Sequence, residues 1–206
     1  MPSSAGRPRA SSAATLEDAA QELFLEQGYD RTTIGDIATR AGVSRNTFFN
    51  YFTCKADVLW LGFDSHVVNL GERLAMLPSD LPVTEALRRG ILDLAVGFGE
   101  AEVPWAVTHA ALMGTGEELS ASGLSRFTQQ ARVLQQFIGL RAGADPDDLM
   151  PRALAFALLA AAVAAAAAWI DAGVARRPLS DYVSEAIDPI CRGFGGRGLG
   201  DVASEL

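Results

Sequence analysis

Apolar residues recur at helical spacing from Leu16 onward. Leu16, Ala19, Ala20, Leu23 and Phe24 follow the i, i+3, i+4, i+7, i+8 rule that places them on one face of a helix. Thr15, with Asp18 three residues on, is placed to cap that helix, and Gly28 to end it in a left-handed turn. Thr33 and Asp36 repeat the capping pattern ahead of Ile34, Ile37, Ala38 and Ala41, and Gly42 closes this second stripe. Ser44 is a third N-cap, opening a short segment from Arg45 to Phe52. The pattern predicts three short helices between Thr15 and Phe52, the last two joined by only Gly42 and Val43. Helices joined so tightly must cross steeply, and Ala38 and Gly42 are small where the backbones would approach. That is the geometry of a helix-turn-helix.

Beyond Lys55 the helical pattern persists. One helix is expected from Lys55 to about Met76, stopped by Pro78 and Pro82; Thr84 caps the next, and Pro104 stands in the first turn of another. Asp145-Pro146-Asp147-Asp148 combines a cap, a proline at the first helical position and two acids against the helix dipole, predicting a helix that continues to Gly173. A last helix begins near Ser180, with Val183, Ile187, Ile190 and Phe194 on one face. No run of alternating β-branched residues occurs, so the fold class is all-α. The expected organisation is a tail at 1–14, a three-helix helix-turn-helix domain at 15–59, a larger helical ligand-binding and dimerisation domain at 60–195, and a tail at 196–206.

The eighteen uncharged residues from Ala153 to Ile170 reach the lower bound for a membrane span. Most are alanine, which gains little from lipid, and no basic or aromatic belt flanks both ends. The run therefore reads as a fully buried helix at a subunit interface, with no membrane partner.

Composition narrows the class. The 206 residues are 49% hydrophobic and 20% charged, which supports a real core and excludes a disordered chain. Two cysteines, Cys54 and Cys191, make no disulfide framework and suit a reducing cytoplasm. No cationic start followed by an apolar run and a small-residue cleavage site is present, so no secretory signal is expected. A net charge of −8 excludes a generally basic nucleic-acid binder, but not a local reader. The balance up to Leu59 is only −1, so a nucleic-acid contact belongs at the N-terminal end.

Enzyme chemistry finds no support. His66 and His109 lack metal-binding spacing with cysteine or a second histidine, and neither a metal nor a cofactor is expected. Asp64-Ser65-His66 is triad-like in letters, but residues i and i+2 of a helix point to different faces. No G-x-S-x-G elbow, P-loop or dinucleotide fingerprint occurs.

A helix-turn-helix reads DNA by laying its second helix in the major groove, with residues near that helix's N-terminus facing base edges. Here these are Arg45, Asn46 and Thr47. Arginine suits bidentate contact with guanine, asparagine with adenine, and the threonine methyl meets thymine. Plainer readings stand beside these: Arg45 and Asn46 as a solvated face, Tyr51 as core with its hydroxyl reaching solvent, Phe48 and Phe52 as core.

The stretch Leu23-Phe24, Gly28-Tyr29, Thr32-Thr33-Ile34, Asp36-Ile37-Ala38, Ala41-Gly42-Val43-Ser44, Thr47-Phe48-Phe49, Tyr51-Phe52 and Lys55 resembles the DNA-binding domain of the TetR family of bacterial transcriptional regulators. Within the family, the Thr47-Phe48-Phe49-x-Tyr51-Phe52 variant with Lys55 and Asp57-Val58-Leu59-Trp60 resembles the actinobacterial branch that includes mycofactocin-system regulators. The resemblance implies that Thr33, Thr47, Tyr51 and Lys55 position phosphates, and Phe49 and Asn50 complete the candidate DNA-facing set. Phe49 stands where most members carry a tyrosine whose hydroxyl touches a phosphate, and Cys54 where a serine commonly caps the following helix. Arg7 and Arg9 are candidates for a minor-groove arm or an inert tail.

The expected protein is a homodimeric, ligand-responsive repressor acting in the cytoplasm on a palindromic double-stranded DNA operator. Trp60, Phe98, Trp105, His109, Met113, Phe127 and Phe156 are candidate walls of a pocket for a largely hydrophobic small-molecule effector, or else plain core. Leu158, Ala162, Trp169, Val183, Ile187, Ile190 and Phe194 are candidates for a dimer interface built as a four-helix bundle. The rival reading is a helical small-molecule-binding protein without DNA activity.

Overall fold

The computed structural model describes residues 13–99, 103–173 and 176–195. Among these residues the regular structure is helical and no strand occurs. The order is α1 (Ala13–Gln27), α2 (Ile34–Arg40), α3 (Arg45–Phe49), a 3-10 segment (Lys55–Trp60) leading into α4 (Leu61–Val67), α5 (Leu70–Ala75), α6 (Val83–Gly97), α7 (Trp105–Met113), α8 (Gly116–Ala142), α9 (Leu149–Asp171) and α10 (Leu179–Gly195).

The chain forms two compact units. The first takes the residues up to Phe63 together with Pro104–Ser122, and the second takes Asp64–Val103 and everything from Gly123 on. The sequence draws a single boundary at residue 59, whereas the structure returns 104–122 to the first unit. The cause is packing: Ala106 and Met113 of α7 complete the apolar core made by Leu16, Leu23, Phe24, Ile37, Phe48, Phe52, Val58 and Leu59. The second core gathers Leu74, Leu87, Leu134, Ile138, Leu154, Leu158 and Ile187 from α5, α6, α8, α9 and α10.

Several helix boundaries differ from expectation. The first helix is already running at Ala13, so Thr15 lies inside it and not at its cap; the strong helix formers Ala13 and Ala14 extend it backward. The single helix expected from Lys55 to Met76 is broken between α4 and α5, at Val68-Asn69, where a β-branched residue following Val67 and an asparagine weaken it. Thr84 is buried within α6, whose cap position is Pro82, and Pro104 stands one residue before α7.

The acidic start signal is displaced as well. Asp145 accepts the Asp147 N–H on its side chain at 2.9 Å, and its carbonyl accepts the Asp148 N–H at 3.0 Å. Asp145–Asp148 is therefore a turn, with Asp148 at the cap of α9. Pro151 falls in the first turn, where an N–H would have no intrahelical partner.

By length and composition α9 is able to cross a membrane, yet 28% of its apolar window is buried inside the chain. Leu154, Ala155, Leu158, Ala165 and Trp169 enter the second core, while Phe156, Ala160, Val163, Ala164 and Ala167 remain exposed. The expectation of a fully buried helix thus holds for one face only within this chain.

Candidate nucleic-acid interface

Each helix of the N-terminal motif is closed by a local device. Gly28, at φ 84°, donates to the Phe24 carbonyl at 2.9 Å and ends α1 in the left-handed conformation that glycine adopts without strain. The Thr33 hydroxyl accepts the Asp36 N–H at 3.1 Å, and the Asp36 carboxylate accepts the Thr33 N–H at 2.9 Å. These bonds hold the Asp36 carboxyl below its ordinary pKa, the backbone N–H of Thr33 contributing most. Gly42, at φ 72°, makes the turn after α2, and Val43 donates back to the Ala38 carbonyl at 2.9 Å. Ser44 then caps α3 by accepting the Thr47 N–H at 3.1 Å.

The side chains of α3 divide cleanly. Phe48 is fully buried and packs against Phe52, fixing the helix to the core of the first unit. Arg45, Asn46 and Asn50 point to solvent, and Phe49 and Tyr51 are 48% and 45% exposed. Thr47 is half-buried, its hydroxyl 3.0 Å from that of Ser44. No acidic residue occurs between Ile37 and Ala56, in a chain of net charge −8. Within that stretch Arg40 is neutralised by Glu22 and Glu26, at 2.9 and 2.6 Å, a surface tether between α2 and α1. Arg45 makes no ion pair with any described residue and is the free cation at the start of α3.

Two of the expected phosphate contacts have other work. The Thr33 hydroxyl donates to Asp36 at 2.7 Å while accepting its N–H, so it serves mainly as a cap. The Lys55 ammonium turns inward: it donates to the carbonyls of Tyr29 at 2.7 Å and Thr32 at 2.9 Å, and lies 3.8 Å from the centre of the Tyr29 ring. Partial burial lowers its pKa, with Asp30 and Glu118 opposing the shift. Lys55 is thus an internal brace for the loop between α1 and α2. Arg7 and Arg9 lie outside the described residues.

The residues that sequence reasoning missed are those that hold this motif together. Tyr29 is buried, and its N–H donates to the Met113 carbonyl at 2.9 Å, joining the α1–α2 loop to the end of α7. Burial and the nearby Glu118 push its phenol pKa upward. Asp57 accepts the N–H groups of Thr53 and Cys54 at 2.9 and 3.0 Å, fixing the start of the 3-10 segment. Only the three-residue spacing from Cys54 to Asp57 hints at this in the sequence.

The seven candidate effector-pocket residues divide between the two units, Trp60, Trp105, His109 and Met113 in the first and Phe98, Phe127 and Phe156 in the second. Met113 is sealed in the first core. Trp105 stacks on Phe24 and donates to Glu17 at 3.2 Å, while Trp60 donates to Ser122 at 2.8 Å. His109 is exposed, with Nδ1 2.9 Å from the Trp105 carbonyl. In the second unit Phe98 lies edge-on to both Trp169 and His66, and Phe127 edge-on to Phe156. A groove of about 580 Å³ between α8 and α9 includes Phe156, but its lining is otherwise polar. His66 is structural, its Nε2 2.8 Å from the Leu94 carbonyl.

Of the candidate dimer residues, Leu158, Trp169, Val183 and Ile187 are sealed in the chain's own second core, which satisfies their apolar surface internally. Ala162, Ile190 and Phe194 are half-buried and keep an outer surface.

Comparison with known proteins gives this geometry a context. Residues 16–59 match the family described as bacterial regulatory proteins, tetR family, and residues 81–195 match the MftR C-terminal domain. The chain is 28% identical over 190 residues to the protein named as the mycofactocin biosynthesis transcriptional regulator MftR of Mycobacterium tuberculosis, covering 92% of this chain and 94% of that one. It is 32% identical over 140 residues to the HTH-type transcriptional regulator TcmR of Streptomyces glaucescens, covering 65% of this chain and 62% of TcmR. Among solved structures, Thermus thermophilus FadR, a transcriptional repressor in complex with lauroyl-CoA, is 25% identical with a TM-score of 0.52, covering 88% of this chain and 94% of FadR. NalD of Pseudomonas aeruginosa shares the fold at 21% identity and a TM-score of 0.53, over 88% of this chain and 94% of NalD.

Proposed function

The chain belongs to the TetR family of bacterial transcriptional regulators, and from that membership we propose that it acts in the cytoplasm as a homodimeric repressor, released from a palindromic operator by a small molecule. The observation that carries the DNA reading is the surface of α3. A core-anchored helix capped by Ser44 offers Arg45 and Asn46 to solvent from an acid-free stretch of an acidic protein. Arginine and asparagine at this position suit the bidentate edges of guanine and adenine. Thr47, Phe49, Asn50 and Tyr51 flank them, their hydroxyl, amide and ring edges facing the backbone or thymine methyls.

Two such units must be spaced to reach successive turns of the major groove, so the operator is a pseudo-palindrome. The exposed apolar positions of α9, Ala160, Val163, Ala164 and Ala167, with Ile190 and Phe194 of α10, supply a face for the second copy. The effector is a largely hydrophobic small molecule, a reading supported by the lauroyl-CoA in FadR. It acts only as far as it binds the DNA-free state more tightly than the bound one. A helical carrier without DNA activity would have no use for an exposed Arg45-Asn46 pair.

The test is fluorescence anisotropy against DNA upstream of the protein's own gene and against operators selected from random sequence. Wild type binds a selected operator despite competitor DNA, and Arg45→Ala binds it more weakly by about 1–3 kcal/mol. Equal behaviour of the two proteins overturns the reading.

A further inference from the structure

Gly35 stands in the first turn of α2, a seven-residue helix that gains nothing from glycine. It is not one of the glycines that adopt a positive φ, so no left-handed turn requires it. Crowding does not require it either. A Cβ at Gly35 would lie 3.4 Å from the Thr33 hydroxyl oxygen and 3.9 Å from Cδ of Arg45, both ordinary van der Waals distances. A methyl group would fit there, whereas the outer atoms of a longer side chain would compete with the Thr33 hydroxyl and the Arg45 stem for the same space.

The contact joins two helices. Arg45 opens α3, and it is exposed and without an ion pair to any described residue. Its stem nevertheless reaches the first turn of α2 and rests there on bare backbone. That turn is held rigid by the capping box of Thr33 and Asp36. Asp36 is the acid of this turn, and it is engaged by the Thr33 N–H at 2.9 Å and the Thr33 hydroxyl at 2.7 Å, leaving the Arg45 guanidinium uncompensated. A long side chain already laid on a rigid surface loses less freedom when it binds, and a bidentate guanidinium contact depends on aim.

We propose that Gly35 is a positioning residue that sets base preference: its bare backbone is the rest for the Arg45 stem, so that the guanidinium meets a guanine edge in one pose. The inference rests on the reading of α3 as the DNA-facing helix. It adds that α2, through Gly35, decides how sharply Arg45 discriminates.

The test is a double-mutant cycle on an operator selected from random sequence by the full chain, and on its single base-pair variants. Arg45→Ala first identifies the base pair whose preference Arg45 supplies. Gly35→Ala keeps that preference. Gly35→Leu and Gly35→Gln each reduce it about fivefold or more, at that base pair only, and neither reduces it further when Arg45 is already alanine. All three replacements are stronger helix formers than glycine, so their melting temperatures do not fall below the wild-type value. Full base preference in both Gly35→Leu and Gly35→Gln overturns the proposal. So does an equal loss with and without Arg45, which would mean that the added side chain strikes the DNA itself. A wild type that selects no operator defeats the reading of α3, and the role of Gly35 with it. Specific binding that depends on Arg45 but not on the size of residue 35 defeats the role of Gly35 alone.

Discussion

Lys55, the one lysine of the chain, donates its ammonium to the Tyr29 carbonyl at 2.7 Å and lies over the ring of the same residue. The pair ties the start of the 3-10 segment to the loop between α1 and α2. Tyr29 in turn reaches the end of α7 through its N–H. The family resemblance implies a phosphate contact for Lys55, whereas the geometry gives it a bracing one. The two roles separate by salt. Lys55→Met is expected to lower the melting temperature and weaken operator binding while leaving the salt slope unchanged. A lysine on a phosphate would reduce the slope by about one unit.

Stability should track the caps. Ser44→Ala removes the acceptor of the Thr47 N–H and is expected to cost about 1 kcal/mol of unfolding free energy. Chemical denaturation measures this directly. Operator affinity should fall with it, because the cap orients the first turn of α3, where Arg45 and Asn46 sit.

Two glycines should respond oppositely to alanine. A Cβ on Gly139 would stand 2.9 Å from the Ala144 carbonyl oxygen and 2.8 Å from the Pro146 ring, closer than real Cβ contacts come. Gly139→Ala should therefore lower the melting temperature by several degrees. A Cβ on Gly193 in α10 would meet nothing within 4 Å. Gly193→Ala should be neutral or stabilising by up to about 1 kcal/mol, from its higher helix propensity.

The acid limb of stability has a definite shape. Asp188, bonded to Arg88, and Asp36, bonded to Thr33, are held below the ordinary aspartate value, and Glu26 and Glu185 below the ordinary glutamate value by Arg40 and Arg177. Groups depressed on folding stabilise the native state above their unfolded pKa, and that contribution is lost as pH falls through the folded pKa. Glu17 is raised, chiefly by burial, so just above the usual glutamate value its protonation favours the folded state. Stability should hold or rise slightly as pH drops from 7 toward 5, then fall below about 4. Asp188→Asn should make that fall shallower in denaturant melts taken across the pH range.

Much of the N-terminal motif was legible because its signals are local. Asp36 lies three residues from Thr33, Ser44 three from Thr47, and Gly28 and Gly42 stand where the chain must turn left-handed. The brace at Lys55 was not legible, because its acceptors are backbone carbonyls 26 and 23 residues away and carry no side-chain signature. The same limit governs the second unit. Nothing in the spacing of Leu158, Val183 and Ile187 distinguishes a stripe that packs within its own chain from one that meets a second copy. The return of Ala106 and Met113 to the first core is likewise a tertiary choice, made by α7 packing beside Phe24.

The central claim is that α3 reads DNA through its exposed N-terminal side chains. It is tested most directly by competitive anisotropy of wild type and Arg45→Ala on an operator selected from random sequence, with melting temperatures compared in parallel. The account predicts equal melting temperatures and a loss of roughly 1–3 kcal/mol in specific binding for the variant, with non-specific binding little changed. Undiminished, competitor-resistant binding by Arg45→Ala would contradict it.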